Sequence, residues 1–356
     1  MPDVDLLHGD PLAAWLRRRG QLTPRRTGLA ALGLAVLFLL LAAAFGVLLE
    51  RPGVTPALAD PAYLGVLLLV TPAVWAYYAW QVGALEQTYR DLVACAQDPA
   101  AMTTALRDTR PQLSARLGPP LAAEAATIIS LANLLVNQAR FGLTWLSYNW
   151  VLMAAQQLLW WPTFYMVVMV GLRQLHAGRA LSRVLARVPL QIVPRHPDGA
   201  GGLSRLGRYV YAAAYEAAVA GLFLGFMLLR TGPAVIVPGT LLYPLVLLYL
   251  GLAALLVAWP LLAAHRQMVA VKQRLLGDIA ALFEAEYGQL LDDLRHATLL
   301  AQAAHRLRAY RKLYRLRAGL AEWPLNLWFV SRLVITISLP VVVPLGLNVL
   351  LSGLVR

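Results

Sequence analysis

Charge is scarce in this chain. Of its 356 residues, 14% are Asp, Glu, Lys or Arg, against about a quarter in soluble domains. That is too little to give a chain of this length a fully solvated surface, which argues against an ordinary water-soluble fold. Lysine is nearly missing, with only Lys272 and Lys312 beside many arginines. Cys95 is the single cysteine, so no internal disulfide and no thiolate metal site can form. Strings that carry chemistry are missing too: no His-Glu-x-x-His, no Gly-x-Ser-x-Gly elbow and no Gly-Lys-Ser or Gly-Lys-Thr phosphate loop. His8, His176, His196, His265, His296 and His305 show no ligand spacing on one helix, and each lies outside an apolar run or at its edge. The expectation is no catalytic residue, no metal and no cofactor, hence no enzyme.

What the chain has is long apolar runs, with 59% hydrophobic residues overall. Residues 28–49 hold no charge and are long enough to cross about 30 Å of hydrocarbon as a helix. Runs at 62–85, 147–172, 209–229, 240–264 and 328–351 are similar. Backbone amides find no water in lipid, so each span must bond internally as a helix. The fold class expected is an all-α, polytopic transmembrane bundle of six or seven spans with cytoplasmic helical extensions.

Arginine sets the orientation. Arg17, Arg18, Arg19, Arg25 and Arg26 precede the first run and place the amino terminus in the cytoplasm of a bacterial inner membrane. Ala42-Ala43-Ala44 imitates a signal-peptide cleavage site, but the run exceeds an h-region, so a retained anchor is expected. The segments divide as a basic amino terminus (1–27), spans one and two (28–85), a cytoplasmic segment (86–120), spans three and four (121–172), and an arginine-rich helix with an elbow (173–208). Spans five and six (209–264), a cytoplasmic helical hairpin (265–325) and a last span (326–356) follow. Residues 173–208 carry seven arginines against Asp198. They share a side with 86–120 only if an even number of crossings intervenes, so a second span must lie between.

The candidate is 121–140. Its polar residues Glu124, Thr127, Ser130, Asn133, Asn137 and Arg140 follow steps of three and four, one stripe on a helix. The stripe suits a polar path between helices, and equally a helix lying in the membrane surface; the arginine count favours the crossing. Glu216 sits inside the fifth span, where a carboxylate is costly unless it faces protein or water. It is a pore candidate, or a structural hydrogen-bonding partner for a nearby tyrosine or for an arginine such as Arg208 or Arg332. Ala213, Ala217, Gly221 and Gly225 recur every fourth residue, a close-packing stripe. Pro162, Pro244, Pro260, Pro340 and Pro344 mark bends, and Trp145, Trp150, Trp323 and Trp328 read as interfacial anchors.

The string Pro194-Arg195-His196-Pro197-Asp198-Gly199-Ala200-Gly201-Gly202-Leu203 is the most distinctive in the chain. Pro-Asp-Gly is a turn signal, and Gly201 and Gly202 add freedom before a helix resumes. It reads as a structural elbow, or as a ligand site built on His196, Asp198, Gly199, Gly201 and Gly202. A His-Pro-Asp-x-x-Gly-Gly-Leu string reached through an arginine-rich helix after a Trp-containing span resembles a group of uncharacterised bacterial multi-span inner-membrane proteins. The likeness covers about residues 150–276, including Trp259-Pro260-Leu261-Leu262. It implies a bacterial inner-membrane protein and transfers no activity.

The net charge of +13 suggests nucleic acid. The arginines flank apolar runs, however, and Arg306, Arg308, Arg311, Lys312, Arg315 and Arg317 directly precede the last span, so anionic lipid headgroups are the expected partner and no nucleic acid is. A homo-oligomer and a cytoplasmic protein partner are further expectations. Two functions stay open: an oligomeric channel or transport-like protein with a polar path between helices, or a membrane scaffold or sensor whose cytoplasmic helices bind a partner or ligand.

Overall fold

The computed structural model describes residues 10–20, 22–49, 51–113, 118–192, 203, 206–229, 239–292, 297–319, 322–323 and 327–354. Nearly all of these are helical, and among them the only extended pairing is three isolated bridges. In chain order the helices are α1 (Pro11–Arg18), α2 (Pro24–Ala44), α3 (Pro61–Gly65), α4 (Thr71–Ala94), α5 (Pro99–Leu113) and α6 (Gly118–Gln138). Then come α7 (Trp150–Arg187), α8 (Gly207–Leu229), α9 (Gly239–Asp292), α10 (Ala297–Ala318) and α11 (Leu327–Leu354).

Their starts are encoded locally. Asp10, Thr23 and Asp60 each stand before a proline and accept bonds from first-turn amides, while Asn149 caps α7 through Leu152 N. Proline at N1 forfeits a donor that the first turn does not use.

Among the described residues, five stretches are long and apolar enough to cross a membrane: Pro24–Ala44, Pro61–Ala94, Gly118–Gln138, Trp150–Arg187 and Tyr209–Leu229. A sixth results if Pro244–Trp259 and Leu261–Gln289, bent by 42° about Pro260, act as one span. The apolar stretch described in α11, Val330–Pro344, is shorter. Large apolar side chains face outward, with Leu158 79%, Leu247 70%, Ile128 67% and Leu135 66% exposed. Gln81, Gln156, Gln174 and Arg173 are buried. Apolar outside with polar residues inside is the distribution that lipid, not water, favours. The molecule is an all-α bundle with the character of a membrane protein.

Hydrogen bonds fix the helix directions. Gln81 Nε2 donates to Val170 O at 2.9 Å and Trp75 Nε1 to Thr163 Oγ1 at 2.9 Å, so α4 and α7 run the same way. At one end Gln97 N donates to Pro189 O at 3.1 Å and Gln191 N to Cys95 O at 2.7 Å, joining the segments that follow α4 and α7. At the other end Thr55 N donates to Leu143 O at 3.0 Å and Trp145 N to Thr55 O at 2.9 Å, joining the segments that precede them. Helix α6 runs antiparallel to α7 between these ends. The segment expected to hold the additional span, 121–140, largely coincides with α6, which is long and apolar enough to cross a membrane.

Two helices run on beyond the apolar runs that start them, and two residues sit elsewhere than expected. Helix α4 continues past 85 to Ala94, and α7 past 172 to Arg187, because nothing in either sequence stops the helix where hydropathy falls. Arg173, counted among cytoplasmic charges, is buried. Trp145 is 1% exposed, packed between Phe38 and Tyr63 with ring centroids 5.6 and 5.2 Å away, and so is a core residue, not an interfacial anchor. Trp150 and Trp323 are exposed; the side chain of Trp328 lies outside the described residues.

The small-residue stripe of α8 packs within the chain. A Cβ added at Gly225 would come 2.3 Å from Pro340 O, and one at Gly221 would come 2.5 Å from the Tyr249 hydroxyl. Tyr249 Oη donates to the carbonyl oxygens of Ala217 at 2.7 Å and Ile337 at 2.9 Å, tying α9 to α8 and α11. Ala213 and Ala217 are buried.

Helix α9, of 54 residues, measures about 81 Å along its bent axis at 1.5 Å per residue, well beyond a bilayer core. Its far half forms a hairpin with α10, where Arg306 pairs with Glu286 at 2.6 Å. Gln267 anchors α9 to the end of α7, donating to Val188 O at 3.0 Å and accepting from Leu190 N at 2.9 Å.

Candidate functional site

The α6 stripe meets α7. Asn137 Nδ2 donates to Gln156 Oε1 at 2.8 Å and to Asn133 Oδ1 at 3.0 Å, while Gln157 Nε2 donates to Asn133 at 3.3 Å. Gln156 Nε2 and Trp160 Nε1 both donate to the Tyr63 hydroxyl, at 2.9 and 2.7 Å. Trp161 Nε1 donates to Thr127 Oγ1 at 3.1 Å. Ser130 is buried and Glu124 is exposed, and Arg140 falls in the turn beyond α6. The stripe is therefore an interhelix network, and none of its residues lines the cavity that holds Glu216. Amides in an apolar setting bond each other first, since each unsatisfied group there is costly. One polar path running through both the stripe and Glu216 is not present among the described residues.

Glu216 sits apart, beside a cavity of about 420 Å³ between α4, α7, α8 and α9. The walls are Val70, Thr71, Val74 and Tyr77, then Trp160, Thr163, Phe164, Val167 and Val170, then Val219, Ala220, Phe223, Leu224 and Leu245. Every other polar group in the lining is engaged. Thr71 donates to Val66 O at 3.1 Å, Thr163 to Leu159 O at 2.7 Å, Tyr77 to Ala212 O at 2.6 Å and Trp160 to Tyr63 Oη at 2.7 Å. Glu216 Oε2 is enclosed without a hydrogen-bond partner among the described residues. Of the arginines weighed as its partner, Arg332 is exposed on α11 and the Arg208 side chain lies outside the described residues.

One wall carries a helix defect with a readable cause. Pro72 has no N–H for the carbonyl of Leu68 and its ring crowds that carbonyl. The chain widens into a π turn over Val66–Val70, with the Thr71 amide and hydroxyl both on Val66 O. Single π turns inside α-helices are frequent at functional sites. Pro72 was visible in the sequence; that its turn abuts a cavity was not.

A second buried cluster holds the amino-terminal helix. Asp10 is 2% exposed and accepts from the hydroxyls of Tyr78 at 2.6 Å and Tyr165 at 2.9 Å, from Arg173 Nη2, and from Leu12 N and Ala13 N, both at 3.1 Å. The guanidinium lies 4.5 Å from the Tyr78 ring centroid. Its Nε and Nη1 find no acceptor among the described residues. This cluster fixes α1 against α4 and α7.

Of the basic residues before the last span, Arg306, Arg308, Arg311, Lys312 and Arg315 are exposed on α10 and Arg317 is half-buried. The elbow residues His196, Asp198, Gly199, Gly201 and Gly202 lie outside the described residues. Among the described residues no group of three or more His, Cys, Asp or Glu side chains is placed to hold a metal ion. Comparison with protein-family models, with curated proteins and with solved structures finds no match.

Proposed function

We propose that this chain is a multi-pass protein of a bacterial inner membrane, amino terminus in the cytoplasm, that works as a transport-like protein and not as an enzyme. The species bound or moved occupies the cavity beside Glu216. The observation that carries this reading is the unpartnered Oε2 of Glu216 beside an apolar cavity whose other polar groups are already bonded. An intramembrane carboxyl held this way is expensive, and such groups mark substrate and ion routes. The π turn at Val66–Val70 supplies a wall able to change register, and Pro162 lies inside the continuous α7, where it removes one backbone donor.

The test is flux in proteoliposomes. Protein reconstituted with a pH-sensitive dye inside, and challenged with proton gradients and a panel of amphiphilic fluorophores, is expected to move at least one of them. Glu216→Gln is expected to abolish that movement, and Glu124→Gln to leave it. Absence of any flux, or flux indifferent to Glu216→Gln, removes the reading.

The scaffold alternative draws on a different observation, the α9–α10 hairpin that projects beyond bilayer thickness with an exposed basic face. In the reading preferred here that face meets anionic headgroups. A soluble protein that co-purifies only when residues 295–317 are intact would favour the scaffold.

A further inference from the structure

We infer that the Glu216 cavity is a binding site for an amphiphilic cation, an ammonium group carried on a compact aromatic or aliphatic body, which reaches it sideways from the lipid. This rests on the reading of the cavity as the substrate site and adds the chemical class of what fills it.

Three features of the walls select the class. The first is charge. Among the described residues, Glu216 is the only acidic or basic side chain in the lining, and the hydroxyls and indole N–H that line the cavity with it are bonded elsewhere. A carboxylate in such surroundings is stabilised by a cation at contact distance, and no cationic side chain among the described residues lines the cavity. The ligand must bring that charge, and an ammonium N–H donates directly to the unpartnered oxygen. The second feature is the aromatic content. Trp160, Phe164, Phe223 and Tyr77 contribute rings to the same lining, and ring faces attract cations more strongly when water is excluded. A volume of about 420 Å³ falls in the range that takes one drug-sized molecule.

The third feature is the mouth. Lining residues Val167 and Leu245 are 48% and 38% exposed, and Ala220 is exposed as well. They belong to the outward apolar surface of α7, α9 and α8, the surface that faces lipid in the proposed orientation. A molecule that partitions into the bilayer by its apolar body can therefore enter without crossing the helical interior.

A phosphatidylethanolamine headgroup and a free amphiphilic amine present the same ammonium, and one experiment covers both. The full-length protein in phosphatidylcholine nanodiscs is titrated with three probes that share one body: 1-naphthylmethylamine, 1-naphthalenemethanol and 1-naphthoate, read by quenching of tryptophan fluorescence. The amine is expected to bind more tightly than the alcohol by on the order of 10- to 100-fold, the range for a charge-assisted bond, with naphthoate weakest. Glu216→Gln should bring amine and alcohol to equal affinity, and Glu216→Asp should keep part of the preference, which guards against a folding artefact. Val167→Trp, at the exposed mouth, should weaken all three. Repeating the amine titration with phosphatidylethanolamine in the nanodisc assigns the source: weakened binding points to the headgroup, unchanged binding to a free amine.

If the probes bind but the amine has no advantage, or keeps it in Glu216→Gln, the cationic class is wrong while the cavity stands. If Val167→Trp affects none of them, the cavity is not their site and the transport reading falls with it.

Discussion

Replacing Asp10 by alanine tests whether the buried cluster at the foot of α4 and α7 holds the amino-terminal helix in place. The carboxylate accepts two tyrosine hydroxyls, one arginine nitrogen and two backbone amides, and both members of the ion pair are almost fully buried, at 1% and 6% side-chain exposure. Truncation leaves the Arg173 guanidinium buried with two of its nitrogens already lacking acceptors, a state that costs about 3–5 kcal/mol. Losing the cap of α1 costs about 1 kcal/mol more, although the two losses share one side chain and do not add in full. The expected destabilisation of Asp10→Ala is therefore about 4 kcal/mol, read by denaturant titration in detergent micelles. Helix α1 should also release, so that trypsin cleaves at Arg17–Arg19, exposed on the docked helix, faster than in the unaltered protein. Arg173→Met alone should cost less, because the acid it leaves keeps two hydroxyls and its capping amides. The double variant Asp10→Ala/Arg173→Met should recover much of the loss, since an apolar replacement of a buried pair is often close to neutral. Stability of Asp10→Ala within about 1 kcal/mol of the parent, or strict additivity of the two substitutions, would refute the reasoning.

Gly225→Val places a Cβ where Pro340 O now lies 2.3 Å away, so α8 and α11 must part. A loss of about 1–3 kcal/mol or more is expected in the same titration, while Gly33→Ala, with nothing within 4 Å, should be neutral or slightly stabilising; equal effects at both sites would contradict the packing. Asn137→Leu leaves Gln156 Oε1 without its donor and should cost about 1–3 kcal/mol, while leaving naphthylmethylamine affinity unchanged because the network is separate from the cavity. Pro72→Ala restores an N–H and should convert the π turn at Val66–Val70 to regular α-helix, shifting Val70 and Thr71 in the cavity wall and changing amine affinity; identical affinity would detach the turn from the site. Arg308, Arg311, Lys312 and Arg315 changed together to Ser should weaken binding to vesicles containing anionic lipid, with the difference fading as salt rises; binding insensitive to charge or salt would exclude headgroup contact.

Much of the bundle is readable residue by residue because lipid imposes local rules. A run such as 28–49 must be helical wherever it lands, and the caps before Pro11, Pro24 and Pro61 are sequence-adjacent signals. Arginine placement carried one long-range inference, a crossing at 121–140, and what the structure shows there is a helix of spanning length and apolarity, Gly118–Gln138. The three- and four-residue steps of α6 correctly put its polar atoms on one face, yet periodicity does not say what that face meets. It meets Gln156, Gln157 and Trp161 across a helix pair. Arg173 shows the same limit: as a residue type it counts toward the cytoplasmic charge, but its partner Asp10 is 163 positions away and no pattern links them.

The sequence by itself determined which stretches become apolar helices, where several begin, and that α8 would offer a flat stripe for close packing. These follow from the solvent and from bonds within four residues, which the order of side chains fixes directly. Only the tertiary structure decided which polar groups satisfy one another and which is left over, because that depends on distances between helices far apart in the chain. Once the helices are assembled, Asn137 and Gln156 bond each other, and the tyrosines around Asp10 and the hydroxyls lining the cavity have partners; the enclosed Oε2 of Glu216, like Gln157 Oε1 and Gln174 Nε2 elsewhere in the bundle, has none among the described residues.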